Sequence, residues 1–498
     1  MPPSAGSTVP FNLSEVSIVA TAVVAVVDVV IRVVALVVVP RDRRPSSAMA
    51  WLLLIFFVPS LGVIAFLLIG SPKLPRHRRE KQQDMNRLIE EAVASPEMAE
   101  RSPRSWPSWV EGVAALNHRL GALPLLPGND AHIVARYEDQ VPALAAAVDR
   151  AQRYVHVEFY IFSCDDATRP FFTAMEKAVA RGVVVRVLFD HVGTLRYPGY
   201  RQTLAELDRI GVDWRLMLPV QPLKGRYQRP DLRNHRKLVV VDGVEAFVGS
   251  LNLIDRTYNK RAAVKRGLLW EDLLVQLRGM VVLEVDALFV TDWYSETDEV
   301  LREDPATAAG DLDEGDLDCQ VVPSGPGFEG ENNLKFFNAL VYGAQRRLSI
   351  TSPYFVPDES LLVAVTTAAE RGVEVELFVG EIGDQVLVFH AQRSYYERLL
   401  RAGVRIWLYP APYILHAKHL SVDEEIAVVG SSNLDIRSFE LDLELTLLVL
   451  GRSFARELRD VEDGYRAQCT ELTLEAWSQR GFWRRAVDDL ARLTSAVQ

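Results

Sequence analysis

A chain of 498 residues is long for one domain, and with 49% apolar residues it can bury a sizeable core. Its formal net charge of -11 excludes the global basic field that gathers nucleic acid. Cys164, Cys319 and Cys469 lie too far apart for a C-x-x-C pair or a disulfide framework, which fits a reducing compartment.

Residues 16–39 are almost all Val, Ala and Ile, and the exceptions Asp28 and Arg32 fall at i and i+4, where a helix lets them pair. Residues 48–70 carry no charge and are long enough to cross a hydrocarbon core of ~30 Å. Trp51 suits the interface and Pro59 would kink a helix. Residues 1–15 contain no Lys or Arg, against a signal peptide. The expectation is an anchor over 1–72 with two transmembrane helices, about 16–39 and 48–70. Lys73, Arg76, Arg78, Arg79, Lys81 and Arg87 outnumber Arg41, Arg43 and Arg44 in the turn. The basic excess places the catalytic region on the cytoplasmic side of a multi-pass cell-membrane protein, with the turn arginines arguing the other way.

Residues 73–130 are polar and proline-bearing and read as a linker. From 131 the pattern becomes an α/β rhythm: helices that stop at Gly182 and Gly211 are followed by Val-rich strands. This first half, 131–300, is followed by an acidic linker, 301–318, and a second half, 319–498, that ends in a helix. Ala178-x-x-Arg181-Gly182-Val183-x-Val185 returns as Ala368-x-x-Arg371-Gly372-Val373-x-Val375. The fold class is therefore α/β with two similar halves behind a membrane anchor.

The chemistry-bearing residues are duplicated too. His235, Lys237 and Asp242 are followed by Gly249-Ser250-x-Asn252; His416, Lys418, Asp423 and Gly430-Ser431-Ser432-Asn433 each lie 181 residues further on. On an extended chain His235 and Lys237 share one face. A lysine and an asparagine amide can bind non-bridging phosphate oxygens, with Ser250 and Ser431 as further candidates beside Asn252 and Asn433. One neutral histidine can attack phosphorus while the other protonates a leaving alkoxide and deprotonates an incoming hydroxyl. The lysines supply the positive charge, so no metal and no cofactor is called for. Asp242 and Asp423 are placed in the catalytic set as groups that tune it through hydrogen bonds, a turn-forming Asp after a strand being the alternative. Asp435 and Arg437 are read as a structural ion pair.

These residues resemble the phospholipase D superfamily, and within it the bacterial cardiolipin synthases. The narrower likeness rests on Ala50-Trp51-Leu52-Leu53 through Pro59-x-x-Gly62, Asn234-His235-Arg236-Lys237, Thr351-Ser352-Pro353-Tyr354-Phe355-Val356-Pro357-Asp358, and Leu415-His416-Ala417-Lys418 with the run Gly430 to Phe439. The chain departs from that family at Ser250, where Gly is usual, and at Asp442-x-Glu444, where Asn-x-Glu is usual. The resemblance implies a duplicated phospholipase D-like fold with one shared site. It implies phosphatidyl transfer between two phosphatidylglycerol molecules, giving cardiolipin and glycerol through a phosphatidyl-histidine. His235 is then the nucleophile and His416 the acid/base. The partners are these phospholipids and the membrane, without nucleic acid, and no oligomeric state is implied. A hydrolase with water as acceptor and a non-catalytic scaffold stay open as alternatives. Two basic stretches flank the first motif, Lys224, Arg226, Arg229, Arg233, Arg236 and Arg256, Lys260, Arg261, Lys265, Arg266. They are either solvated loops or contacts to anionic head groups, worth ~1 kcal/mol per residue at a charged surface.

Overall fold

The computed structural model describes residues 13–41, 43–70, 74–93, 103–121, 123–224, 226–301, 315–328 and 330–493. Lys73 and most of the acidic linker lie outside the described residues. The chain divides into two compact units, 1–72 and 73–498.

In the first unit the helix Leu13–Val38 contains Thr21–Val38, whose mean hydropathy of 2.6 and length make it apolar and long enough to cross a membrane. Asp28 and Arg32 pair at 2.9 Å, as their spacing requires. The second apolar stretch corrects the expectation of one spanning helix over 48–70. It forms two shorter helices, Pro45–Phe57 and Pro59–Ile69. Val58 leaves the helical region (φ -136°, ψ 73°), because Pro59 forbids a continuing ladder. The two helices fold back on each other: the rings of Trp51 and Phe66 meet at 5.4 Å, and a Cβ on Gly62 would stand 2.7 Å from the Ile55 Cα. Only glycine permits that approach.

The second unit is built on a sixteen-stranded sheet with helices on both faces. From the centre outward, the first half runs Leu126–Val134, Leu274–Arg278, Glu245–Gly249, Leu238–Val241, Tyr154–Phe159, Val184–Asp190 and Asp213–Met217. The second half runs Leu317–Ser324, Asp442–Leu450, Ile426–Gly430, His419–Val422, Arg347–Thr351, Glu374–Gly380 and Arg405–Tyr409, the same order and directions. The halves join edge to edge where Leu126 faces Cys319 and Asn129 faces Leu317, antiparallel. Within each half the three outermost of these strands are parallel and need helical crossovers. Arg169–Ala180 and Tyr200–Ile210 supply them in the first half, and Gly211 ends the latter at φ 84°.

Two boundaries shift. The strand Leu126–Val134 belongs to the first half, so that half begins inside the segment read as linker. The helix Ser108–Gly121 is also part of the body: Val110 and Val113 enter a core with Phe337 and Leu340 of the second half, and Asn117 donates to Gln320 at 3.2 Å. A helix that buries one face against a preformed sheet needs few apolar residues, which is why its composition reads as linker.

Helix Arg76–Val93 is likewise fixed to the body. Arg78, read from sequence as one of the orienting cations, forms a buried bidentate pair with Glu296 at 2.9 and 2.8 Å, and Lys81 pairs with Asp298 at 2.6 Å. Removing one partner of a buried pair leaves the other charge uncompensated. The variant Arg78→Ala is expected to lose about 3–5 kcal/mol of unfolding free energy, read by denaturant titration; a loss below 1 kcal/mol contradicts the packing of this helix on the body.

Candidate active site

His235 and His416 each precede a short buried strand, Leu238–Val241 and His419–Val422. That strand runs antiparallel to the innermost parallel strand, so each histidine lies at the carboxyl end of the parallel strands, where open α/β sheets place their sites. The returning strands Glu245–Gly249 and Ile426–Gly430 deliver Ser250 and Ser431 to the same end. Gly249 and Gly430 are required there, since a Cβ would stand 2.2 and 2.3 Å from the carbonyl oxygens of Leu273 and Leu445.

The two motifs meet through the backbone. Arg233–Asn234 runs parallel to Asp442–Leu443, and Tyr413–Leu415 runs parallel to Leu269–Glu271. The His235 N–H donates to the Leu443 carbonyl at 2.8 Å, and the His416 N–H donates to the Glu271 carbonyl at 2.7 Å. The next residue in each case is an acid that faces the histidine of the opposite half. Nδ1 of His235 lies 3.1 Å from both Glu444 carboxylate oxygens, and Nδ1 of His416 lies 2.5 Å from Asp272 Oδ1. A carboxylate only accepts, so each Nδ1 carries a proton and each Nε2 is left for the reaction, as a lone pair on a neutral ring or an N–H on a charged one.

Each carboxylate is held by the serine of its own half. Ser250 donates to Asp272 at 2.7 Å and Ser431 to Glu444 at 2.5 Å, while Ser438 donates to Glu444 at 2.8 Å. The Leu273 and Leu445 N–H groups donate to these serine hydroxyls, both at 2.9 Å. Ser250 and Ser431 are thus committed to the carboxylates, a correction to their placement as phosphate ligands. The Ser250 departure from glycine makes the two halves alike. The lysines cap their own motifs, Lys237 donating to the His235 carbonyl and Lys418 to the His416 carbonyl. An ammonium carries three donors, so each keeps donors for a ligand.

All of these side chains are buried, and burial sets the electrostatics. It lowers the lysines, Lys237 to about 7 and Lys418 to about 8, against the pull of Glu444 and Asp272. It lowers His235 well below the ordinary imidazole value, with Lys237 adding to the effect. It lowers His416 too, but the Asp272 charge opposes it. Glu444 is raised to about 7 by burial, against Lys237 and its serine donors. Asp272 differs: burial would raise it, yet His416, Lys418 and the Ser250 hydroxyl together hold it below the ordinary carboxylate value. One half of the site thus keeps a firmly ionised carboxylate beside its histidine.

Asn252 and Asn433 lie in the same buried site. The Asn252 amide accepts from the Ile161 N–H at 3.2 Å and donates to the Tyr258 hydroxyl at 2.9 Å. The Asn433 side-chain oxygen is buried without a partner among the described residues. Asp242 and Asp423 are not in the site. Each stands beyond the far end of its strand with positive φ, 54° and 53°, the turn-forming alternative. Asp242 accepts from the N–H groups of Gln152, Arg153 and Tyr154 at 2.8–2.9 Å, and Asp423 from those of Arg346 and Arg347 at 2.7 and 3.0 Å. Both tie a turn to the start of the innermost parallel strand. Asp435 and Arg437 do not pair: Asp435 caps the Ser438 N–H at 2.7 Å, and Arg437 meets Asp442 at 3.3 Å. Asp272 has no counterpart at the 181-residue offset and so escaped the repeat. Its signal is an acid at the start of an apolar run, Asp272-Leu273-Leu274-Val275, as in Glu444-Leu445. Among the described residues no group of His, Cys, Asp and Glu has the form of a metal site.

Several of the flanking cations are internal. Arg229 pairs with Asp231, Arg233 with Asp190, Arg236 with Asp292, and Arg256 with Glu138 and Glu271.

Residues 144–270 and 339–462 match the family described as cardiolipin synthase, PLD-like domain, and residues 22–71 match phospholipase D-nuclease N-terminal. The chain is 32% identical over 455 residues to cardiolipin synthase A of Pectobacterium atrosepticum, covering 90% of this chain and 92% of that one. It is 31% identical over 475 residues to cardiolipin synthase A of Yersinia pseudotuberculosis, with the same coverage. Its fold is similar to the crystal structure of phosphatidylserine synthase from Haemophilus influenzae Rd KW20, with TM-score 0.57 and 16% identity over 77% of this chain and 99% of that one.

Two outcomes follow from this geometry. Asp242→Ala removes an acceptor of three N–H groups outside the site, so unfolding free energy falls by about 1–3 kcal/mol while anion binding is retained; lost binding without lost stability contradicts the assignment. The lysines are charged below about 7 and about 8 and neutral above. Affinity for dimethyl phosphate, whose single charge is constant in this range, measured by calorimetry, should therefore fall as pH rises through those values; an affinity that rises contradicts a lysine clamp.

Proposed function

The chain belongs to the PLD-like cardiolipin synthase family and is a phosphatidyltransferase, and we propose how its residues divide the reaction. His235 Nε2 attacks the phosphorus of one phosphatidylglycerol, its Nδ1–H held by Glu444. The P–O bond to the head-group glycerol breaks, and His416 protonates the leaving alkoxide. The hydroxyl of a second phosphatidylglycerol then gives its proton to His416 and attacks phosphorus. The P–N bond breaks, His235 is restored, and cardiolipin leaves. Lys237, Lys418, Asn252 and Asn433 hold the non-bridging oxygens throughout. The observation that carries this reading is the pair of reciprocal histidine–carboxylate contacts, which hold each imidazole by a carboxylate of the other half. The electrostatics support this order of roles. The histidine driven furthest toward neutrality suits attack, and the one beside the ionised carboxylate suits holding a proton.

The rim supports a lipid substrate. Leu195, Leu223, Tyr227, Val264, Val386 and Leu387 are exposed on segments that follow strands at the histidine end of the sheet. For the anchor, the reading is one span, Thr21–Val38, followed by a hairpin over 45–69 that stays on one side. Arg41, Arg43, Arg44 and the cations after residue 73 then share that side. The conflict between the two basic groups disappears, and the catalytic region is cytoplasmic.

Purified protein given phosphatidylglycerol in detergent should yield cardiolipin and glycerol in equal amounts; phosphatidic acid without cardiolipin would make it a hydrolase. His235→Ala and His416→Ala should each lower turnover by about 10⁴-fold or more with thermal stability retained. Alkaline quench during turnover should find the phosphatidyl group on His235, and an adduct on His416 would reverse the two roles.

A further inference from the structure

One difference between the two halves lies beside the site on the His416 side. Asp272 follows Asn252 by 20 positions, but Glu444 follows Asn433 by 11. The extra chain in the first half holds the helix Arg261–Arg266 and the turn before it. In that turn Tyr258 and Asn259 take left-handed φ of 56° and 53°, a conformation that Asn tolerates but that Tyr adopts only when its surroundings hold the turn there. Asp165 does so by accepting from the Asp255 N–H at 2.9 Å and from the Asn259 amide at 2.8 Å.

The strained turn presents one cation to the site. The Lys260 ammonium lies 5.1 Å from the ring centre of Tyr197, 5.8 Å from Tyr258 and 5.6 Å from Trp270. The Tyr258 and Trp270 rings meet at 4.6 Å, tilted by 37°, and Tyr197 meets Tyr258 at 5.6 Å, so the rings form one wall. Among the described residues no carboxylate lies within ion-pair distance of Lys260, whereas Arg256 of the same segment is paired twice. Lys260 is half-buried, so its charge is open to a ligand. Tyr258 connects it to the chemistry: its hydroxyl accepts from Asn252 at 2.9 Å, and its ring stands 6.3 Å from that of His416.

The duplicated motifs supply one clamp, for the phosphate under attack. The acceptor brings a second phosphodiester, joined through glycerol to the attacking hydroxyl, and that hydroxyl must reach His416. The only unshared cation of this loop that faces the aromatic wall lies on the His416 side, and the second half has no such loop beside His235. We propose that Lys260, held by Tyr197, Tyr258 and Trp270, binds the phosphodiester of the acceptor lipid and so selects a phospholipid hydroxyl over water. This rests on the transfer reaction proposed above.

The test uses the full chain in mixed micelles of phosphatidylglycerol, with ethanol as a competing acceptor that has no phosphate. In Lys260→Gln, cardiolipin formation at subsaturating phosphatidylglycerol should fall about tenfold, the loss of one charge-assisted contact. Phosphatidylethanol and phosphatidic acid should be retained, and Lys260→Arg should restore part of the cardiolipin. An equal fall in cardiolipin and phosphatidylethanol would make Lys260 a structural residue and overturn the proposal, as would unchanged cardiolipin. If the wild type forms phosphatidylethanol but never cardiolipin, the transfer reading itself fails, a result distinct from either.

Discussion

Everything in the site depends on one reciprocal contact: the backbone N–H of each histidine donates to the residue just before the acid that orients it, and that acid belongs to the other half. Neither half alone supplies the carboxylate that fixes the tautomer of its own motif histidine. The contact joins the central edge-to-edge pairing of the sheets to the chemistry at their rim. A small slip between the halves would move both imidazoles off their carboxylates together. That couples the integrity of a very large sheet to a few ångströms at its end, and gives the extensive burial on both faces a functional purpose.

The site is also dry and crowded with charge. Two lysines, two histidines and two carboxylates are buried together, so each ionisation depends on the others. The lysines sit near the edge of losing their protons, and an arriving phosphate would stabilise them as ammonium. The symmetry of the fold is not carried into the electrostatics. Asp272 and Glu444 are shifted in opposite directions, although each holds a histidine and a serine in the same way. Duplication supplies two equivalent frames, and the aspartate and glutamate environments make them electrostatically unlike. The extra loop at Tyr258 and Lys260 adds a second asymmetry on the same side.

Much of this was legible in the sequence because it repeats. The 181-residue offset placed both motifs and their Gly-Ser tails, and helix-stopping glycines before Val-rich runs marked the parallel strands. The errors share a cause, which is that closeness in sequence is not closeness in space. Asp242 is part of the motif by spacing, yet a four-residue strand carries it roughly 13 Å from the Lys237 end. Asp272 orients His416 from 144 residues away, and its offset differs because of the inserted loop. The helix Ser108–Gly121 shows too few apolar residues to be recognised without the sheet it covers. Residues 48–70 have the composition of a span, and only Pro59 and Gly62 record that the chain turns back.

The central claim is that each half orients the histidine of the other. Turnover of Asp272→Asn with phosphatidylglycerol tests it most directly, because the substitution keeps shape and leaves both motifs untouched. An amide in place of the carboxylate removes the charge that fixes the His416 tautomer. The account predicts a fall of about 10²- to 10⁴-fold with unchanged thermal stability. Turnover within a few-fold of wild type would show that His416 does not depend on the opposite half, and would contradict the account.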